Sequence, residues 1–311
     1  MDVILHLGAH RTGTTSFQNY MRASAEQLDG QAVGFWGPWR TRQGVLHGLA
    51  TRPESKADHK RAVGRLRMNL ERTQRQGCAA LIVSDENMIG TPRMVLRDRA
   101  LYTAVGERMA RLHGGFGGVR RVVLQIRTLE TWWASLLAYL VARGVPVPGP
   151  EVLEQIAASE RSWRHVITDI ACACPNARLV VMPFERFVGR QDIQLQRMTG
   201  TLFPPGTGAG EFWDHRSPDL ARLRRILAER GEDASALPEG EGRWQPFSVL
   251  QAARLREAYA DDLFWLTAGA DGLATLAEDE PPVAILKTGR EGPETRGPRH
   301  DGIARNLAHP R

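Results

Sequence analysis

Short apolar runs alternate with longer amphipathic stretches over roughly the first 185 residues. Val3 to Leu7 is apolar and ends at Gly8, which predicts a buried strand. Thr14 to about Leu28 carries Phe17, Tyr20, Met21 and Ala25 at near-helical spacing and predicts a helix. Further strands are predicted at Ala32–Trp36, Ala79–Val83, Arg121–Ile126 and Arg178–Met182. The segments between them read as helices. One runs from Lys60 to Gln76 and ends at Gly77. Another runs from the Thr91-Pro92 start signal to His113, before a loop at Gly114–Gly118. Two more cover Thr131–Arg143 and Glu151–Ala173, the latter closed by Pro175. Beyond Phe187 the pattern is helical, over Asp192–Thr199, Pro218–Arg230, Phe247–Tyr259 and Asp261–Leu276. Strands alternating with helices imply a parallel sheet covered on both faces, so the expected fold is a three-layer α/β/α sandwich. Residues 1–277 read as one domain with a helical C-terminal section at about 188–277, and 278–311, rich in Pro, Gly and charge, as a flexible basic tail.

Composition narrows the class. The 311 residues are 42% hydrophobic and 24% charged, which is globular rather than disordered. The longest apolar run, Trp132 to Ala142, contains Ser135 and falls short of a membrane span. Residues 1–20 do not read as a secretory leader, and three cysteines (Cys78, Cys172, Cys174) do not make a disulfide framework, so a cytoplasmic protein is expected. Cys172-x-Cys174 lacks a second pair, and no metal-ligand cluster is read. The net charge of +6 is uneven. Lys60 to Arg75 holds six basic residues against Glu71, either a solvated helix face or an attractor for an anionic substrate or polyanion. No aromatic-interleaved basic motif supports nucleic-acid binding, and oligomeric state is not legible.

The chemistry concentrates in Gly8-Ala9-His10-Arg11-Thr12-Gly13-Thr14-Thr15-Ser16, between the first strand and the first helix. Gly8 and Gly13 have the spacing of a nucleotide-binding P-loop, but Thr14 stands where that loop has Lys, and the basic residue is Arg11. The anion cradle is therefore retained without the lysine that bridges β- and γ-phosphates. Amides at a helix start hold an anion, hydroxyls of Thr12, Thr14, Thr15 and Ser16 add donors, and Arg11 adds a fixed charge.

Val3 to Gln18, "VILHLGAHRTGTTSFQ", resembles the 5′-phosphosulfate-binding loop of sulfotransferases that use 3′-phosphoadenosine 5′-phosphosulfate (PAPS), in particular a bacterial group with His-x-Gly-x-His-Lys-Thr-Gly-Thr-Thr-Ser. Arg11 replaces that group's Lys. The resemblance implies a P-loop NTPase-like sulfotransferase fold and transfer of a sulfuryl group to a hydroxyl or amine of an acceptor, leaving 3′-phosphoadenosine 5′-phosphate (PAP). It also implies a role for "VVLQIRTLETWWAS": Arg127 at a strand end and Ser135 eight residues later would bind the donor's 3′-phosphate. Strand ends of parallel sheets open into the ligand crevice, and Arg suits phosphate oxygens. "VVMPFERF", "HRSPDLARLRRIL" and "YADDLFWL" look like later elements of that fold. The family's Arg-Lys-Gly loop, a third 3′-phosphate contact, is absent, and Arg296, Arg299 and Arg305 are candidates to replace it.

The acceptor must lose a proton. Glu86 in "LIVSDENM" follows the third strand and matches the Ser-x-Glu of bacterial relatives, so it is the first candidate base; alternatively Glu86 or Asp85 caps the next turn. His10 in the loop and His47 in "GVLHGLA" are further catalytic candidates, whereas His6 within a strand reads as a buried, satisfied histidine. Trp36 and Trp39 either stack on adenine or on a sugar acceptor or pack in the core, and Trp132 and Trp133 are expected to pack on the sheet. Three functions are open at this point: a PAPS-dependent sulfotransferase acting on a glycan, lipid or small metabolite; a divergent P-loop kinase; and a non-catalytic binder of PAP or a polyanion.

Overall fold

The structure is a computed structural model that describes residues 1–200 and 217–277. The expected tail at 278–311, with Arg296, Arg299 and Arg305, lies outside the described residues.

Six strands form one sheet: β1 (Asp2–His6), β2 (Val33–Trp36), β3 (Ala80–Ser84), β4 (Arg121–Ile126), β5 (Arg178–Pro183) and β6 (Thr275–Leu276). Their spatial order is β2-β3-β1-β4-β5-β6, and every pairing is parallel. Among the described residues eight helices have nine or more residues: α1 (Thr14–Ala23), α2 (Lys56–Arg75), α3 (Val105–Phe116), α4 (Leu129–Val141), α5 (Trp163–Ala173), α6 (Gln191–Thr199), α7 (Leu220–Glu229) and α8 (Val249–Thr267). None of the described helices is long and apolar enough to cross a membrane.

The sheet is covered on both faces because alternate strand residues are apolar on both. Leu5, Val83, Leu124 and Val181 pack on one side with Trp132, Leu136 and Ile167. Ile4, Ile82, Val123 and Met182 pack on the other with Phe17, Tyr20 and Leu195. Thus α1, which follows β1, covers one face, and α4, which follows the adjacent β4, covers the other. Neighbouring strands that send their helices to opposite faces open a crevice at their carboxyl ends.

Several predicted elements need correction; among them, the loop expected at Gly114–Gly118 begins only after Phe116, and the helices expected at Phe247–Tyr259 and Asp261–Leu276 are the single α8. The helix expected from Thr91 to His113 is two, Pro92–Asp98 and α3, separated by left-handed residues at Arg99 (φ 51°) and Tyr102 (φ 39°). Asp98 accepts from Thr103 Oγ1 at 2.6 Å and holds this turn, which sends Tyr102 inward. The helix expected over Glu151–Ala173 breaks ahead of α5, where Ser162 Oγ and the amides of Trp163 and Arg164 all donate to the buried Asp262 carboxylate (2.6, 2.9 and 3.1 Å). The first helix breaks at Ser24. The C-terminal section is not wholly helical: α8 ends at Thr267, and Thr275–Leu276 joins the sheet beside β5 as a sixth strand, too short to carry a pattern.

Candidate functional site

The β1–β4 ladder continues past His6 into the glycine-rich loop, with Leu7 N donating to Val123 O (2.9 Å) and Ala9 N to Gln125 O (3.1 Å). The loop then turns through left-handed conformations at Arg11 (φ 66°) and Gly13 (φ 82°). Gly8 (φ 43°) has a spatial reason to lack a side chain, because a Cβ there would lie 2.3 Å from Thr14 Oγ1. Donors behind the loop take its carbonyls. Ala9 O accepts from Thr12 N (3.2 Å) and Oγ1 (2.5 Å), His10 O from Trp132 Nε1 (2.6 Å), and Arg11 O from Arg127 Nη1 (3.1 Å). The amides are left for another partner. Gly13 starts α1 without a side-chain cap, and the N–H groups of Gly13, Thr14 and Thr15 have no acceptor among the described residues. Thr14 Oγ1 is buried with no hydrogen-bond partner. A backbone that turns its carbonyls back and keeps amides and a hydroxyl unmatched is suited to an anion.

This loop floors a cavity of about 650 Å³. Its described lining contains six arginines (Arg11, Arg22, Arg42, Arg127, Arg143 and Arg243) and one carboxylate, Glu86. At one end the residues from the two sequence motifs meet. Arg11 donates through Nε to Ser135 Oγ (3.0 Å) and through Nη2 to Ser217 Oγ (3.1 Å), and the two hydroxyls lie 2.6 Å apart. The Arg127 guanidinium donates to Thr131 Oγ1 (3.1 Å) and lies 4.6 Å from the Phe184 ring centre. It makes no ion pair among the described residues. Burial pushes Arg11 and Arg127 down to about 10, and for both the Arg243 charge adds to the effect. Like charges gathered where the described lining of this end holds no carboxylate favour a polyanionic ligand.

The other end is built on Glu86. Its Oε1 accepts from Arg42 Nη2 (2.8 Å) and its Oε2 from Gln18 Nε2 (3.3 Å). Burial opposes ionisation, but the charge of Arg42, with His10, outweighs it and holds the carboxyl below its ordinary value. The two readings of the acidic pair divide between its members. Asp85 does the capping, accepting from Asn87 N (3.0 Å), Thr41 Oγ1 (2.6 Å) and Arg42 Nη2 (2.7 Å), while Glu86 faces the cavity.

The histidines separate. His10 lines the cavity, but its ring is held by Tyr102 Oη at Nδ1 (2.9 Å) and by the Asn87 side chain at Nε2 (3.1 Å), and burial lowers its pKa. A ring engaged at both nitrogens shapes the loop. His6 is buried as expected, between Ser84 Oγ (2.8 Å) and Gln125 Oε1 (3.1 Å), and burial pushes it down to about 4. His47 is not brought to the site. It is exposed, does not line the cavity, and lies beyond the left-handed Gly44 (φ 103°), with its carbonyl accepting from Arg65. Trp36 is buried under Arg40 and offers no face to a ligand, whereas Trp39 lines the cavity and is 42% exposed. Trp132 and Trp133 pack in the core.

Several residues of the site carried no sequence signal. Arg42 reaches it by long-range pairing with Asp85 and Glu86. Ser217 and Arg243 come from segments far along the chain. Gln18 was legible as the end of the loop-and-helix motif. Among the described residues no three His, Cys, Asp or Glu side chains are grouped to hold a metal ion. Comparison of the chain with protein-family models, with curated proteins and with solved structures found no match.

Proposed function

We propose that the protein is a PAPS-dependent sulfotransferase of P-loop-like architecture. The observation that carries the reading is the meeting of Arg11, Arg127 and Ser135, from two motifs more than 100 residues apart, around one anion-favouring loop. The fit to the donor rests on the unmatched Thr14 Oγ1, the loop that a Cβ at Gly8 would fill, and the arginines at one end of the cavity. The amides of Gly13, Thr14 and Thr15, with Ser16 and Arg11, would hold the 5′-phosphosulfate, whereas Thr12, expected to join them, gives both its amide and its hydroxyl to Ala9 O and shapes the loop instead. Arg127 and Ser135 would hold the 3′-phosphate. Ser217 and Arg243, which line a recess with Arg127 and Ser135, would supply the further contact that the absent Arg-Lys-Gly loop makes in the family.

When bound, PAPS supplies the sulfuryl group: an acceptor oxygen–sulfur bond forms as the bond from sulfur to the bridging oxygen breaks, and PAP leaves as the anion. The chain's own residues do the rest. Arg11, rooted in the loop with its guanidinium reaching Ser135 and Ser217, would add positive charge between the two phosphate ends of the donor. Glu86, ionised and held at both oxygens, accepts the acceptor's proton. Arg42 and Gln18 orient it, and His10 with Tyr102 holds the loop. Thr14 in place of the P-loop lysine argues against the kinase reading.

Calorimetric titration with PAP, with ATP plus Mg²⁺ as comparator, tests the donor site. PAP binding that is lost in Arg127→Ala and kept in Glu86→Ala is expected. Binding of ATP but not PAP overturns the proposal, and PAP binding without transfer to any acceptor reduces the protein to a binder.

A further inference from the structure

Of the arginines lining the cavity, Arg143 is spent on Tyr139, stacked on its ring and donating to its carbonyl, whereas Arg22 belongs to neither the loop nor the serine cluster. Arg22 lies four residues after Gln18 on α1, so the two share a helix face about 6 Å apart along the axis. Gln18 donates to Glu86, while the Arg22 guanidinium rests on the exposed Trp39 indole, 5.1 Å from its ring centre. Trp39 is itself braced edge-on by Phe35. Arg22 makes no hydrogen bond or ion pair among the described residues, and both Arg22 and Trp39 line the cavity. Stacking orients a guanidinium while leaving the N–H groups at its edge available to an oxyanion. Arg42, by contrast, is committed to Asp85 and Glu86.

Resting on the sulfotransferase reading, we infer that the acceptor is acidic: it carries a carboxylate or similar oxyanion about one helical turn from the hydroxyl that faces Glu86, and Arg22 on Trp39 is the residue that selects it. The hydroxyl oxygen bonds to the sulfur of PAPS, its proton passes to Glu86, and PAP departs; the acceptor's own anion stays on Arg22 and takes no part in the transfer. A neutral acceptor of the same shape would leave the guanidinium without its counter-ion, which is the basis of the discrimination.

The test uses the full chain, labelled PAPS and two acceptors that share their ring hydroxyls, 4-nitrophenyl β-D-glucuronide and 4-nitrophenyl β-D-glucoside. PAP affinity is measured on the same preparations. The expected result is a kcat/KM at least about 10-fold higher for the glucuronide, the size of one charge-assisted contact. Arg22→Gln should erase that preference through a higher KM for the glucuronide, and Arg22→Lys, which keeps the charge without the planar fork, should restore part of it. Equal use of the two acceptors, a preference that survives Arg22→Gln, or PAP binding with no transfer to the glucuronide overturns the inference and leaves the donor reading standing. Failure to bind PAP overturns both.

Discussion

Replacing Arg127 by Gln separates what this residue does for folding from what it does for an anion. Arg127 is 8% exposed, and its guanidinium is pushed down to about 10, by burial first and then by Arg243 and Arg11, against the opposing charge of Glu185. A fall from 12.5 to about 10 corresponds to roughly 3 kcal/mol against holding the charged form in that position. On the other side stand two hydrogen bonds, to Thr131 Oγ1 and to the Arg11 carbonyl, both at 3.1 Å. Each is worth about 1.5–3 kcal/mol for a charged donor. The terms nearly cancel, so Arg127→Gln is expected to unfold in urea within about 1–2 kcal/mol of the unmodified chain. Binding follows a different rule. Losing one partner of a desolvated charge pair costs about 2–5 kcal/mol, or about 30-fold to a few thousand-fold in Kd. Calorimetry with PAP and urea denaturation on the same preparation read the two quantities separately. A variant that unfolds several kcal/mol more easily yet keeps its PAP affinity would refute the reasoning and make Arg127 a structural residue.

Further predictions concern Glu86, His6 and Gly8. Glu86→Gln should lower transfer by about 10²–10⁴-fold and leave PAP affinity within a few-fold, as measured by initial rates and titration. The base works only when ionised, and Arg42 holds its pKa below the ordinary carboxylate value against burial, so the rate should show no acid limb from this group near neutral pH; an acid limb near neutrality assigns the base elsewhere. His6 should make stability pH-dependent: its folded value is about 4 against 6.5, so the unfolded chain binds the extra proton between those values. Stability should therefore fall, by roughly 3 kcal/mol from this residue, as the pH drops from 6.5 toward 4. Urea curves at the two ends check this, and a slope unchanged in His6→Gln speaks against it. Gly8→Ala places a Cβ 2.3 Å from Thr14 Oγ1 at a φ of 43°. It should cost about 1–3 kcal/mol and remove PAP binding together, read by thermal melting and calorimetry; unaltered PAP affinity would mean that the loop does not cradle the ligand.

The sequence by itself determined the strands β1 to β5, the loop between β1 and α1 and the position of Arg127 at a strand end, because each is a local pattern: a short apolar run, a glycine pair at fixed spacing, a β-branched segment stopping at a charge. It also marked His6 as buried, since a strand interior offers a side chain little but the core. What it left open was decided by contacts between distant segments. Asp85 and Glu86 are equivalent as letters, and only the arrival of Thr41 and Arg42 makes one a cap and the other a cavity carboxylate. Tyr102 looks like an interior position of a long helix until the turn held by Asp98 and Thr103 carries it to His10. His47 has the same side chain as His10, but a left-handed glycine directs it to the surface. Ser217 and Arg243 reach the cavity from distant segments, and Arg22, on a predicted helix, meets Trp39, a predicted stacking candidate, only once the chain is folded. The physical reason is common to all of them. Strands and helices are selected by interactions within a few residues, whereas the protonation, orientation and partners of a polar side chain are set by what the folded chain brings within about 3–5 Å of it.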